Sequence, residues 1–570
     1  MHKKTLSFLT IVAGVAIIFF AASCKKAENT GETTEMEKKL TEFINKFVEK
    51  VKPLEKALNT AYFDASINSN EENWAKVAKF EKEYNAIFFN NDDFNTLKQI
   101  KESNAVKDPL LKRQLDILYN MYLSKQADTA KINRLTDMVS NIEQMYSKFR
   151  AKVGNKLLTD NDVEEILKNS TNNEELKKVW LAHKEIGPIV ADSIIAVVKL
   201  RNEIARELGF NNYHEMSLKL SEQDPEEISR LFDELDNLTR DEFKKLKSEV
   251  DDFLAARLKI KPEQLMPWHY QNRFFQEAPQ IFEIDFDKYF KDKDIVKLTE
   301  QYYASIGLPI DDIIARSDLF EKPNKNQHAY CINIDRENDI RVLCNVRPNA
   351  RWMETMLHEY GHALYEKHYA KDLPYLLRTP AHIFTTEAIA MLFGRKGAEA
   401  QWIQDMVGIS DEEKAKIFDI ANKRLKLQQL VFSRWSQVMY RFEKAMYENP
   451  DQDLNKLWWD LVEKYQMIKR PENRNSPDWA TKIHIATSPC YYHNYHLGEL
   501  FASQLYFTIA EKILKDDPYK VLSFTGHQEV GKFLIDKVFS VGAKYEWNEM
   551  IEKATGEKLT PKFYAKQFVH

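Results

Sequence analysis

The sequence predicts a mainly α-helical protein, and three observations carry that prediction. Glycine and proline number 15 and 18 in 570 residues, roughly 3% each against averages of about 7% and 5%. So few breakers exclude sandwiches, propellers, collagen-like repeats and flexible linkers. Apolar residues recur at helical spacing, as in Leu40, Phe43, Ile44, Phe47, Val48 and Val51. Charged residues make up 30% of the chain and suit the solvated faces of amphipathic helices, while 44% hydrophobic content excludes disorder.

Residues 1–23 read as an export signal: Lys3 and Lys4, an apolar run from Leu6 to Phe20, then Ala21-Ala22-Ser23 before Cys24. Small residues immediately ahead of a cysteine resemble a bacterial lipobox, so Cys24 is the expected lipidation site, with Ala21 standing where a leucine is usual. Residues 24–36 are polar and read as a tether. No later stretch approaches the roughly 20 apolar residues of a spanning helix. The expected location is therefore exported and lipid-anchored to a bacterial membrane, on its periplasmic or cell-surface face.

From Met36 to about His214 the pattern is helical with little interruption, recurring at Leu111, Leu115, Leu118 and Tyr122 and again at Ile194, Val197, Val198 and Ile204. Asp160-Asn161-Asp162 supplies capping side chains for a helix over Val163 to Lys168. Between His269 and Asn349 proline, asparagine and aromatics become denser. Ala329 to Val346 alternates as a short hairpin with its tip at Asp335 to Asp339. Cys331 and Cys344 flank that hairpin, and export makes a cross-strand disulfide one expectation and two unpaired thiols the other. Helices resume after Arg351. Nothing reads as an interdomain linker, so residues 37–570 form one continuous domain.

With 82 basic against 87 acidic residues and a formal net charge of -5, no basic field exists for a phosphate backbone, and nucleic acid is not an expected partner. Four cysteines in this length exclude a disulfide-built fold.

Chemistry concentrates at His358-Glu359-Tyr360-Gly361-His362. On a helix the two histidines sit one turn apart on one face and can hold one zinc ion. Glu359 points about 100° around from His358, where it reaches a water at the metal without ligating it. A catalytic zinc needs a third protein ligand and an open fourth position. Glu387 interrupts the apolar stretch Phe384 to Met391, where an acid is costly unless paired or metal-bound. It is the expected third ligand; on pattern alone His382 and Glu366 compete, and Glu366 can instead orient His362.

These residues resemble the peptidyl-dipeptidase A, or angiotensin-converting enzyme, family. Its zinc helix carries His-Glu-x-x-His, with a glutamate ligand in a Glu-Ala-Ile segment about 25 residues later, matched by His358, His362 and Glu387. Further matching stretches are Ser305-Ile306-Gly307-Leu308-Pro309, Glu321-Lys322-Pro323, His328-Ala329, Trp458-Trp459 and Lys482-Ile483-His484-Ile485 with the tyrosine-rich run after it. The resemblance implies a large helical, two-lobed ellipsoid with a deep central cleft, a small β-hairpin near the zinc helix and an N-terminal helical lid that admits short peptides only. It implies one zinc ion and release of dipeptides from the C-terminus.

By the same resemblance Glu359 is the general base, and His484 and Tyr495 hydrogen-bond the tetrahedral oxyanion. Lys482, Tyr492 and Gln276 clamp the C-terminal carboxylate, and His328 and Ala329 hold the substrate main chain. One extra residue between His484 and the tyrosines makes Tyr491 a rival for the clamp. Animal members bind activating chloride through two arginines; Val462 and Asn494 stand there, implying weak or absent chloride activation. Met391 replaces an aspartate one turn after the glutamate ligand. The alternatives are a related zinc oligopeptidase or single-residue carboxypeptidase, and a non-catalytic peptide-binding lipoprotein. The last needs a broken catalytic set, whereas Glu359, His484 and Tyr495 are all present.

Overall fold

A capped helix opens the described part of the chain. In a computed structural model that describes residues 34–569, the Thr34 side chain accepts from the Glu37 backbone while Glu37 reaches back to the Thr34 N–H, closing a capping box. Helix α1 (Glu35–Ile67) therefore starts inside the stretch expected to be tether. The signal segment and Cys24 lie outside the described residues.

Helices α1, α2 (Glu71–Phe88), α3 (Asn91–Glu102) and α4 (Pro109–Leu123) enclose a small core of their own. Leu40, Phe47, Leu97, Leu118 and Tyr122 meet there, joined by Tyr375 and Leu376 from the rest of the chain. The expected helical run to His214 is broken once. Strands β1 (Ala151–Val153) and β2 (Lys156–Leu158) pair antiparallel around Gly154, whose φ of +61° suits a residue without Cβ. The following helix spans Asp160–Asn169, not Val163–Lys168, because Thr159 is its cap and Asp162 its box partner.

Most remaining helices share one continuous core running from Ile142 to Phe568. The fold is mainly α, as expected, with only two small two-stranded sheets among the described residues. The second is the expected hairpin, β3 (Tyr330–Asn333) against β4 (Ile340–Leu343). Its tip closes on Asp335, whose Oδ1 accepts from the backbones of Glu337, Asn338 and Asp339. Of the two expectations for the hairpin's cysteines, the structure has the unpaired thiols. Cys331 faces Val342 in register, Cys344 lies two residues further on, and both are free thiols. No helix among the described residues is long and apolar enough to cross a membrane.

The hairpin ties α1 to the body. Arg336 Nε donates to Glu55 Oε1 at 2.8 Å, the Tyr375 hydroxyl donates to Glu55 Oε2 at 2.9 Å, and Asn59 Nδ2 donates to the Asn333 carbonyl at 3.0 Å. Lys56 pairs with Asp335 at 3.1 Å, and Lys52 pairs with Glu337. Glu55→Ala strips two partners from Arg336 and Tyr375 at a cost of about 1–3 kcal/mol. The expected outcome is faster hydrogen exchange in α1 and the hairpin, with the core helix Asp411–Glu448 unchanged. Unaltered protection in α1 would show that apolar packing alone holds it.

Candidate metal centre and active site

Two helices bring the donors together. The metal helix, Ala350–Lys367, is capped by Asn349 and carries His358, Glu359 and His362; the glutamate helix, Ile383–Gly394, carries Glu387. They cross at Gly361, where an added Cβ would lie 2.9 Å from Ala390 Cα and 3.2 Å from Ala390 N. Only glycine allows this approach. As a result Glu387 lies between the rings, Oε2 3.3 Å from His362 Nε2 and Oε1 3.6 Å from His358 Nε2.

One ligand atom from each of these three residues falls within 4.8 Å of the other two. Two imidazoles and one carboxylate converging on one point are a donor set that fits zinc. Burial would raise the Glu387 carboxyl, but the two imidazoles outweigh it and hold it below its ordinary value, so it stays anionic. His362 Nδ1 contacts Thr386 Oγ1 at 2.9 Å, which fixes the ring. The two rival ligands have other work. His382 Nδ1 accepts from the Phe384 backbone as the helix cap, and Glu366 Oε2 accepts from Asn333 Nδ2 and the Tyr369 hydroxyl, both at 2.9 Å. Thr386, not Glu366, orients His362. Met391 offers His358 no carboxylate and packs toward Gly498.

Glu359 is buried beside the metal donors. Burial pushes its carboxyl up to about 7, against the pull of His362 and of the Cys331 backbone N–H. A carboxyl in that range exchanges protons readily near neutral pH.

Lys482, His484, Tyr492 and Tyr495 come from a segment crossing into the helix His493–Thr508. The His484 and Tyr492 rings lie 5.5 Å apart and those of Tyr492 and Tyr495 5.4 Å apart. Burial, then Lys482, lowers His484 to about 4, leaving a neutral imidazole that can donate one N–H. Burial and the Glu387 charge raise the Tyr495 hydroxyl, which keeps its proton. Lys482 Nζ donates to Gln276 Oε1 at 2.6 Å and lies 5.4 Å from the Tyr492 ring centroid. Lys482, Gln276 and Tyr492 are thus gathered in one place. Tyr491 stacks edge-on against Tyr495 at 5.3 Å. His328 is exposed, its backbone donating to Asn326, and its ring makes no hydrogen bond to the other candidates among the described residues; Ala329 leads into β3. Val462 lies among Trp180, Trp458 and Trp459, and Asn494 accepts from Gln223.

Sequence reasoning missed the supports of this segment. Arg201 Nη2 donates to the Ala486 carbonyl at 2.7 Å, and buried Glu443 accepts from the Cys490 N–H at 2.9 Å. Between them Cys490 takes a φ of +54°, uncommon for a residue with a side chain. A lone acid within the aromatic run Trp435 to Tyr447 was the available signal.

The family profile described as angiotensin-converting enzyme matches residues 34–258 and 268–565. The chain belongs to this family. It is accordingly a peptidase, of a family of zinc-dependent metallopeptidases. No curated protein matches the chain.

Gly361→Ala drives the two helices apart; overpacking of this kind costs about 1–3 kcal/mol. Because the shift falls on Glu387, zinc affinity measured by competition with a chelating dye is expected to fall about tenfold, alongside the melting temperature. Lower stability with unchanged zinc affinity would show that Glu387 follows the histidines.

Proposed function

We propose that the protein is a zinc-dependent peptidyl-dipeptidase that removes dipeptides from the free C-terminus of short peptides. The observation that carries this reading is the contact of Lys482 with Gln276 at 2.6 Å beside Tyr492, on the segment that also carries His484 and Tyr495. One ammonium, one amide and one phenol gathered in one place suit a terminal carboxylate. A fixed clamp measures the chain from its end.

His358, His362 and Glu387 would hold the zinc ion. When bound, the ion supplies Lewis-acid polarisation of the scissile carbonyl and makes a water molecule more acidic. Glu359 takes a proton from the attacking water and delivers it to the departing amine. The Tyr495 hydroxyl and the neutral His484 N–H donate to the oxygen on which negative charge develops. His328 and the backbone of Ala329 align the peptide main chain. The signal-like segment ending at Cys24 supports an exported, lipid-anchored location, tested by acyl labelling of the wild type against Cys24→Ala.

Glu359→Gln is expected to cut kcat by about 10²–10⁴-fold while one zinc per chain remains by elemental analysis. Product mass spectrometry on an N-blocked oligopeptide and its C-amidated twin tests the count. Dipeptides from the free acid alone support the clamp; single residues, or internal cuts in both peptides, reject it.

Burial, then Arg273, pushes Lys482 down to about 8. Carboxylate capture needs the ammonium form, which is present below that pH and lost above it. The ratio kcat/KM for free-acid peptides is therefore expected to decline above about pH 8. In Lys482→Arg, whose cation persists, that limb moves to higher pH. A flat profile to pH 10 would remove Lys482 from the clamp.

A further inference from the structure

A recess of about 320 Å³ opens against the metal donors, with His358 and Glu359 in one wall. The mechanism above gives it no task. Besides Glu359, its charged lining consists of Glu354, Arg395 and Glu499, and these are not equivalent. Arg395 Nη2 donates to Glu499 Oε2 and Gln429 Nε2 donates to Glu499 Oε1 at 3.0 Å, so that acid is matched. Arg395 is matched in turn, and its Nε also reaches the Met391 carbonyl at 3.2 Å.

Glu354 is different. It lies one turn before His358 on the metal helix and is only partly exposed, yet it makes no hydrogen bond or ion pair among the described residues. Burial pushes its carboxyl up to about 6; Arg424 pulls it back only from a distance. Arg424 is itself exposed, with its guanidinium 5.3 Å from the centre of the Phe286 ring. Apart from Glu359, the recess therefore carries one acid, Glu354, that is partly desolvated and has no hydrogen bond or ion pair among the described residues.

The rest of the lining suits a long aliphatic stem. Gly394 lies in the wall and packs closely on the metal helix, an added Cβ falling 3.2 Å from His358 Cβ. Met391 adds a flexible apolar surface.

We infer that this recess receives the side chain of a lysine or arginine in the C-terminal dipeptide of the substrate, with Glu354 as the residue that selects it. Methylenes lie along Met391, and the cation pairs with Glu354. The inference rests on the peptidyl-dipeptidase reading and narrows its substrates to peptides with a basic residue near the C-terminus.

The test uses the zinc-loaded chain and N-blocked peptides carrying Lys, Arg, Leu or Glu at each of the last two positions. A kcat/KM preference for Lys or Arg over Leu of about tenfold at one of those positions is expected. Glu354→Gln should reduce that ratio toward one, and Glu354→Lys should favour Glu over Lys there. Direct calorimetric binding of Ala-Lys against Ala-Leu to metal-loaded Glu359→Gln, with and without Glu354→Gln, reads the recess apart from turnover. No preference for basic residues, a preference located before the last two residues, or a preference that survives both Glu354 variants would overturn the inference. Absence of any dipeptide release would instead count against the peptidyl-dipeptidase reading, and the calorimetric arm would still decide the recess.

Discussion

Everything chemical in this protein depends on how closely two helices approach. The metal helix and the glutamate helix cannot bring His358, His362 and Glu387 to one point unless residue 361 has no side chain, because Ala390 already fills that space. Glycine inside a helix costs roughly 1 kcal/mol against alanine, and a chain with 15 glycines in 570 residues uses them sparingly. Four cluster here. Gly394 sits on His358, Gly397 on Glu354, and Gly498 brings the tyrosine-bearing helix against Phe384 and Met391. Small residues set the spacing of three helices, and that spacing sets how Glu359, the metal donors and the tyrosine-bearing helix approach one another.

Several buried charges elsewhere are matched. Arg434 is bonded to Asp236 and Thr239, Lys396 to Glu399 and the Leu522 carbonyl, and Arg113 to Glu222. Breaking such a pair leaves an uncompensated ion and is strongly destabilising. Along the active-site surface the rule is relaxed. The buried Nδ1 of His484 has no partner among the described residues, Lys482 has a single uncharged acceptor, and Glu354 has none. Polar capacity left unsatisfied in partly desolvated places is capacity for a substrate, and perturbed groups gather where a ligand completes them.

The sequence made the helical class, the hairpin and the metal triad legible because each rests on local periodicity or short spacing. Thr34 and Thr159 moved two helix starts, since a cap is decided by one side chain and not by the apolar pattern around it. The triad's third member could be chosen because an acid in an apolar helix must be paired. Thr386 could not be, since a threonine beside a glutamate has many possible partners until the helices cross. Arg201 and Glu443 were invisible for the same reason: they act on Ala486 and Cys490, 285 and 47 residues away along the chain. The choice between a disulfide and two thiols turned on register, a property that spacing alone does not specify.

One four-residue strand connects these layers. Within β3, the Cys331 N–H faces the Glu359 carboxylate, Asn333 donates its side-chain amide to Glu366 near the end of the metal helix, and the Asn333 carbonyl accepts from Asn59 of α1. The next residues place Arg336 on Glu55. The base, the metal helix and the N-terminal helices therefore share a single backbone segment held at both edges. Asn59 of α1, Glu366 of the metal helix and the Glu359 carboxylate are thus each within one contact of the same four-residue strand, so α1 and the metal helix meet through β3 and not through a longer chain of contacts.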